Sequence, residues 1–150
     1  MNRSLLFLAA LLAATTAQAV CVRTNVTRVY DGDTLFVSSS LVLVGNASAA
    51  HVTNSRGGAE LGVRVEGIDT PEIRGKCQAE KNQAIAARDL LRSQIDAAQG
   101  IAWMCYPRLS RYGRLSAQVT VGGERMDHAL ISSGLARPYD GQGKRGSWCD

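Results

Sequence analysis

Aromatic side chains are scarce in this chain, at 5% of 150 residues. Neither sign of charge dominates: 17 Lys+Arg stand against 13 Asp+Glu, a net charge of +4. So mild an excess is compatible with a polyanionic partner but does not demand one. No internal repeat is present, and the composition excludes a disordered chain, a collagen repeat and a coiled coil. No Cys-x-x-Cys occurs. Cys21, Cys77, Cys105 and Cys149 lie too far apart for a zinc knuckle. After Ala19 no apolar run approaches the length of a membrane span. His51 and His128 have no nucleophile or metal partner close by in sequence, and both read as surface or packing residues.

What the chain does have begins with an export segment. Met1–Ala19 opens with Arg3, continues through an apolar run from Leu5 to Ala14, and ends on Ala17-Gln18-Ala19. The run is too short to cross a bilayer, and small residues stand where a signal peptidase reads, so cleavage is expected after Ala19. An uncleaved anchor is the bland alternative. A lipid anchor at Cys21 is disfavoured by the bulk of Val20. The expected destination is outside the cytoplasm, secreted or periplasmic, with no membrane attachment after cleavage. Four cysteines in an exported chain point to two disulfides. Three pairings exist. Cys21 with Cys105 and Cys77 with Cys149 is the favoured one: the first would join two strands, and the second would tie the carboxyl terminus to the loop before a helix.

The length suits one domain with a core of its own, here residues 20–150. Val22–Tyr30 is rich in β-branched residues and reads as a strand, Asp31-Gly32-Asp33 as a tight turn, and Thr34–Val37 as a second strand. Residues 38–60 read as an extended excursion. Leu61–Ile68 alternates as a third strand, with Val63 and Val65 on one face and Arg64 and Glu66 on the other. Gln78–Ala97 is helical, with a stripe of Ala84, Ala87, Leu91 and Ala98 widened by Leu90 and Ile95, and Gly100 as its stop. Ile101–Cys105 and Leu115–Val121 are two more strands, joined by the basic turn Arg108–Arg114. Met126–Ser133 is a short helix closed by Gly134, with Ala129 and Leu130 inward. The tail from Pro138 is irregular. Trp103 is expected in the core and Trp148 over the barrel end. Five strands with a helix between the third and fourth give the order of an OB-fold barrel. The fold class is therefore α+β, mainly β: a five-stranded OB-fold barrel with two or three helices.

The acids cluster. Asp31 and Asp33 flank Gly32, and Asp69 and Glu72 bracket Thr70-Pro71. Two turns converging from separate loops would offer hard oxygen donors that suit calcium. The bland reading is that Asp and Gly are simply turn residues. Arg64 and Arg114 stand beside these acids, and a guanidinium fork matches phosphate oxygens. A cation between carboxylates, flanked by two arginines, suits the charge that develops on a phosphodiester. Lys76, Lys81, Arg88 and Arg92 form a basic helix face, usually a solvated one, that could also steer nucleic acid.

Three segments in this order resemble the staphylococcal nuclease (thermonuclease) family: Val29-Tyr30-Asp31-Gly32-Asp33-Thr34-Leu35, Val63-Arg64-Val65-Glu66-Gly67-Ile68-Asp69-Thr70-Pro71-Glu72 and Arg111-Tyr112-Gly113-Arg114-Leu115. The stretch from Ala129-Leu130 to Gly134-Leu135-Ala136 resembles the family's late helix and its exit. The resemblance implies a calcium site with Asp33 and Asp69 as carboxylate ligands and Thr70 giving its backbone carbonyl. It implies Glu72 as the residue that orients or activates water, and Arg64 and Arg114 as the binders of the scissile phosphate. Asp31 matches an acid near the metal that is not usually a ligand. The implied activity is sugar-nonspecific cleavage of DNA and RNA, single-stranded or denatured by preference, leaving 3′-phosphate ends, by a monomer.

The chain departs from the family pattern in three places. The stretch from Asp33 to Arg64 is longer, the four cysteines are additional, and of the tyrosines that stack on nucleotide only Tyr139 lies near, offset by about one position. Tyr112 is a further candidate for nucleic-acid contact. Two rivals stand beside the enzyme. One is a decayed barrel that only binds nucleic acid or protein, which the presence of all five key side chains argues against. The other is a structural calcium protein, which has no use for the two arginines.

Overall fold

The computed structural model describes residues 21–38, 60–109 and 115–149; the expected signal segment, His51, nearly all of the 38–60 excursion, Tyr112 and Arg114 lie outside them. In chain order the elements are β1 (Cys21–Val29), β2 (Thr34–Ser38), β3 (Glu60–Val65), β4 (Ile68–Asp69), α1 (Gln78–Ala97), β5 (Ile101–Leu109), β6 (Leu115–Val121), β7 (Glu124–Arg125), α2 (Met126–Ser132) and β8 (Arg137–Pro138).

Period-two alternation drives the long strands, because successive side chains point to opposite faces. Leu35 and Val37 on β2, Leu61, Val63 and Val65 on β3, and Leu115, Ala117, Val119 and Val121 on β6 all turn inward and are buried. β1 pairs antiparallel with β2 and β5, β2 with β3, and β5 with β6. One parallel pairing, Val63 with Leu115 and Val65 with Ala117, joins β3 to β6 and closes five strands into a barrel. Two helices pack on it, so the architecture is the expected mainly-β OB-type barrel.

α1 has the expected limits. It lays Ala87, Leu91 and Ile95 on the barrel and buries Ala84, while Leu90 and Ala98 lie at the margin of the core. Cys77 caps it by accepting from the Glu80 backbone N–H. The Glu80 side chain reaches back to the backbone N–H groups of Lys76 at 2.8 Å and Glu72 at 3.4 Å. Orphan donors of the first turn and of the preceding loop are thus satisfied together. The late helix is one residue shorter than expected. It ends where Leu135 and Ala136 both donate to the Leu130 carbonyl across Gly134, whose φ is +70°.

Three expectations are corrected. The third strand does not run unbroken to Ile68. It stops at Val65, and Gly67, at φ +85°, turns the chain so that Ile68 and Asp69 pair instead with Pro138 and Arg137. The first strand after α1 continues past Cys105 to Leu109, through an irregularity in register. Trp103 is not in the core but 44% exposed. On β5 the inward positions go to Ala102 and Met104, so the residue between them must face out.

The favoured cysteine pairing is the one present. Cys21 and Cys105 are register partners on β1 and β5, and Cys77 bonds Cys149 across 72 residues of chain. Among the described residues no helix is long and apolar enough to cross a membrane.

Candidate active site

The two acid-bearing turns meet. Gly32 is buried so tightly that a Cβ there would lie 2.6 Å from Ala87 Cβ and 3.0 Å from Thr70 Cγ2. Only the absence of a side chain lets the Asp31-Gly32-Asp33 turn lean on Thr70 and on α1 at once. Glycine is therefore needed between the two acids for its size.

Asp33 is 3% exposed and Asp69 4%. Buried carboxylates need partners, and each has them. Arg64 Nη1 lies 2.7 Å from Asp33 Oδ1, and the Thr34 hydroxyl donates to the same oxygen at 2.9 Å. Arg64 Nη2 donates to the Ile68 carbonyl at 3.1 Å, so the guanidinium spans from the turn before β2 to the start of β4. The Asp33 backbone N–H donates to Asp31 Oδ1 at 3.2 Å. Burial, then the Asp33 carboxylate and more weakly that of Glu72, push Asp31 up to about 7 against the bond it accepts from the Asp33 backbone N–H.

A cavity of about 230 Å³ holds Tyr30, Asp31, Asp33, Thr34, Phe36, Arg64 and Glu72. Asp33, Arg64 and Glu72, expected together, are thus on one concave surface. Asp69 and Thr70 line a neighbouring cavity of about 540 Å³, and Glu72 belongs to both. Tyr139 lines neither. Its hydroxyl donates to the Gly143 carbonyl and its backbone N–H to the Gly67 carbonyl.

Asp69 and Glu72 are held by a segment near the carboxyl terminus that carries none of the expected site residues. Arg145 Nη1 donates to Asp69 Oδ1 at 3.0 Å and to Glu72 Oε1 at 2.7 Å. Glu72 first and Asp69 second raise the pKa of that guanidinium above its ordinary value. Trp148 Nε1 donates to Asp69 Oδ2 at 3.1 Å, and Arg137 stacks 3.7 Å over the Trp148 ring. Trp148 thus covers an acid of the site rather than the end of the barrel. The signal that could have found this segment is the Cys77–Cys149 bond. A tail tied next to the Asp69–Glu72 loop must bring the residues just before Cys149 onto that loop.

The chain from β3 through this tail, residues 62–147, matches the family model of staphylococcal nuclease homologues. The chain belongs to that family. No curated protein matches it. The match includes Arg64, Asp69, Thr70, Glu72, Arg114 and Tyr139, while Asp33 lies before it. Family membership carries a nuclease-type, hydrolytic character and nucleic acid as the class of substrate.

The donors fit the metal that such nucleases imply. Asp33 and Asp69 are buried carboxylates and Thr70 is a buried neighbour with a backbone carbonyl, all hard oxygen donors. Among the described residues, the one triad of Cys, His, Asp or Glu ligand atoms within 4.8 Å of one another is Cys77, Glu80 and Cys149. It is no metal site, because the two sulfurs are bonded to each other and offer no thiolate.

Proposed function

We propose that this nuclease homologue hydrolyses phosphodiester bonds in DNA and RNA with calcium as cofactor, leaving 3′-phosphate ends. The observation that supports it best is the shared cavity of Asp33, Arg64 and Glu72, set against the turn of Asp69 and Thr70. Asp33, Asp69 and the Thr70 carbonyl would hold calcium, which when bound neutralises charge on the phosphate oxygens.

The chain's own groups do the rest. Arg64 is anchored to Asp33 and the Ile68 carbonyl, so it presents a fixed fork to an equatorial oxygen. Arg114, in the basic turn before β6, is the second such arginine. Glu72, with its side chain 45% exposed, faces the open cavity. It accepts the proton of the attacking water, or directs that water in line with the P–O5′ bond. A 3′-phosphate product requires that this bond breaks and the 5′ oxygen leaves. Tyr112 and Tyr139 would supply base contacts. The mature chain would begin after Ala19, act outside the cytoplasm as a monomer, and prefer single-stranded or denatured substrate. The two disulfides suit that compartment.

The direct test is degradation of heat-denatured DNA and of RNA by the purified mature protein, with calcium and with a chelator. Cutting with calcium that stops under chelation supports the reading. Cutting that persists under chelation removes the metal from it, and no cutting under either condition overturns it.

A further inference from the structure

The larger cavity includes Asp69, Thr70 and Glu72 of the candidate site, but it extends past them to cations that hydrolysis of one phosphodiester does not use. It lies between the Asp69–Glu80 segment and the tail Lys144–Cys149, and it shares Glu72 with the smaller cavity. Four cations line it: Arg74, Lys76, Lys144 and Arg145. Of these only Arg145 has an ion pair among the described residues. Arg74, Lys76 and Lys144 are exposed and have none.

The acids in the same cleft are already satisfied. Asp69 and Glu72 accept from Arg145, and buried Glu80 accepts from two backbone N–H groups. Three cations therefore face solvent in one concave site with no internal counter-ion. Arg145 is arranged to link the two cavities. Its Nη1 is spent on Asp69 and Glu72, while Nη2 and Nε take no partner among the described residues. A guanidinium edge of this kind, with its side chain 44% exposed, can grip an anion while its other nitrogen holds the acids. The wall that carries Lys144 and Arg145 is set in place by the Cys77–Cys149 bond, the Trp148–Asp69 hydrogen bond and the Arg137 stack, so its position does not depend on a bound ligand.

We propose that this cleft is a second phosphate subsite. It takes the backbone phosphate that neighbours the scissile one on the same strand, with Arg145 at the seam and Arg74, Lys76 and Lys144 along the walls. The inference rests on the nuclease reading, because it takes the strand to pass Glu72. It adds to that reading a substrate requirement: at least two consecutive phosphates for tight binding.

The experiment uses the mature protein and the triple variant R74A/K76A/K144A, whose three substitutions are all on exposed side chains. Binding of a fluorescein-labelled single-stranded oligonucleotide is followed by anisotropy in chelator, where no cutting occurs, across a salt series. The variant is expected to bind about tenfold more weakly, with a salt slope shallower by about 0.7 for each phosphate that the protein no longer neutralises. With calcium, the KM advantage of an oligonucleotide over a substrate with one phosphodiester should vanish in the variant, while kcat on the one-phosphate substrate is kept. Binding and salt slope equal to wild type would overturn the subsite, as would a loss that is the same for one-phosphate and many-phosphate substrates. K144E alone, a single exposed change, should weaken oligonucleotide binding in the same direction, and wild-type binding by it would also count against the subsite. A wild-type protein that binds the oligonucleotide but never cuts it would fail the nuclease reading separately.

Discussion

Arg145 and Glu72 are 73 positions apart in the chain, and Nη1 of the arginine donates to Oε1 of the glutamate at 2.7 Å. The same nitrogen reaches Asp69 at 3.0 Å. One donor atom therefore sets the spacing of two acids of the site. Hydrogen bonds to charged groups contribute about 1.5–3 kcal/mol, and the exposure of Arg145 places this pair at the low end. Arg145→Ala is expected to lower kcat on denatured DNA about tenfold, the equivalent of ~1.4 kcal/mol. Single-turnover cutting rates check this, and an unchanged rate would show that Glu72 is oriented without the tail.

Glu72→Gln keeps the size of the side chain and removes its basicity. A positioned general base typically contributes 10²–10⁴-fold, and a loss on about that order is expected in kcat. Oligonucleotide affinity in chelator should change little. A variant that keeps wild-type turnover would take Glu72 out of the chemistry.

Gly32→Ala should be costly for its size. The new methyl meets Ala87 Cβ at 2.6 Å and Thr70 at about 3 Å, and neither is the end of a flexible chain. Overpacking of this kind costs about 1–3 kcal/mol. Urea unfolding should show that loss, and cutting should fall too, because the turn of Asp33 is forced off the turn of Asp69. Loss of stability with full activity would mean that the two turns work independently.

The two disulfides should separate in their effects. Each closes a long loop and contributes about 2–4 kcal/mol, or roughly 5–15 °C in Tm for a chain of this size. The paired change C21S/C105S should lower Tm and leave kcat near wild type, since that bond joins β1 to β5 away from both cavities. The paired change C77S/C149S should lower both Tm and kcat, because it releases the segment that holds Asp69 and Glu72. Equal kcat in the two variants would contradict this division.

Asp127 offers a test by pH away from the site. Burial raises its pKa, but the two bonds from Arg125, at 3.0 Å and 2.6 Å, together with His128 hold it below the ordinary carboxylate value. A carboxylate depressed by folding adds stability above its unfolded pKa of about 3.9, and that stability is lost as pH falls through the lower folded value. Asp127→Asn should therefore be less stable than wild type at pH 7, by about 0.5–1 kcal/mol given the exposure of Arg125. The gap should close below pH 4. A gap independent of pH would assign the effect to packing.

Much of this molecule is local, and local chemistry can be read from letters. The apolar period of α1 and its glycine stop define that helix to both ends. The alternation of β3 sets Val63 and Val65 on one face, and both are buried. Asp33, Arg64, Asp69 and Glu72 stand out in the sequence because each lies on or beside a strand end or turn that has its own short signature. Where periodicity misled, a neighbour decided the matter. Alternation alone does not say that β3 yields at Gly67 to a partner near Pro138. A tryptophan's apolar bulk does not outweigh a register that gives the inward positions to Ala102 and Met104.

The tail is the extreme case. Gly141 to Cys149 has no period and forms no regular element, so nothing within it indicates a role. Its place follows from contacts that cross more than 70 residues: one disulfide, one indole N–H on Asp69, and one guanidinium between two acids. Residue types and their spacing were enough to specify the strands, the helices and the acids of the turns, since those depend on neighbours a few positions away. The positions of Arg145 and Trp148 follow instead from closure of the chain on itself, which brings opposite charges from distant segments into one partly desolvated cleft where they must pair.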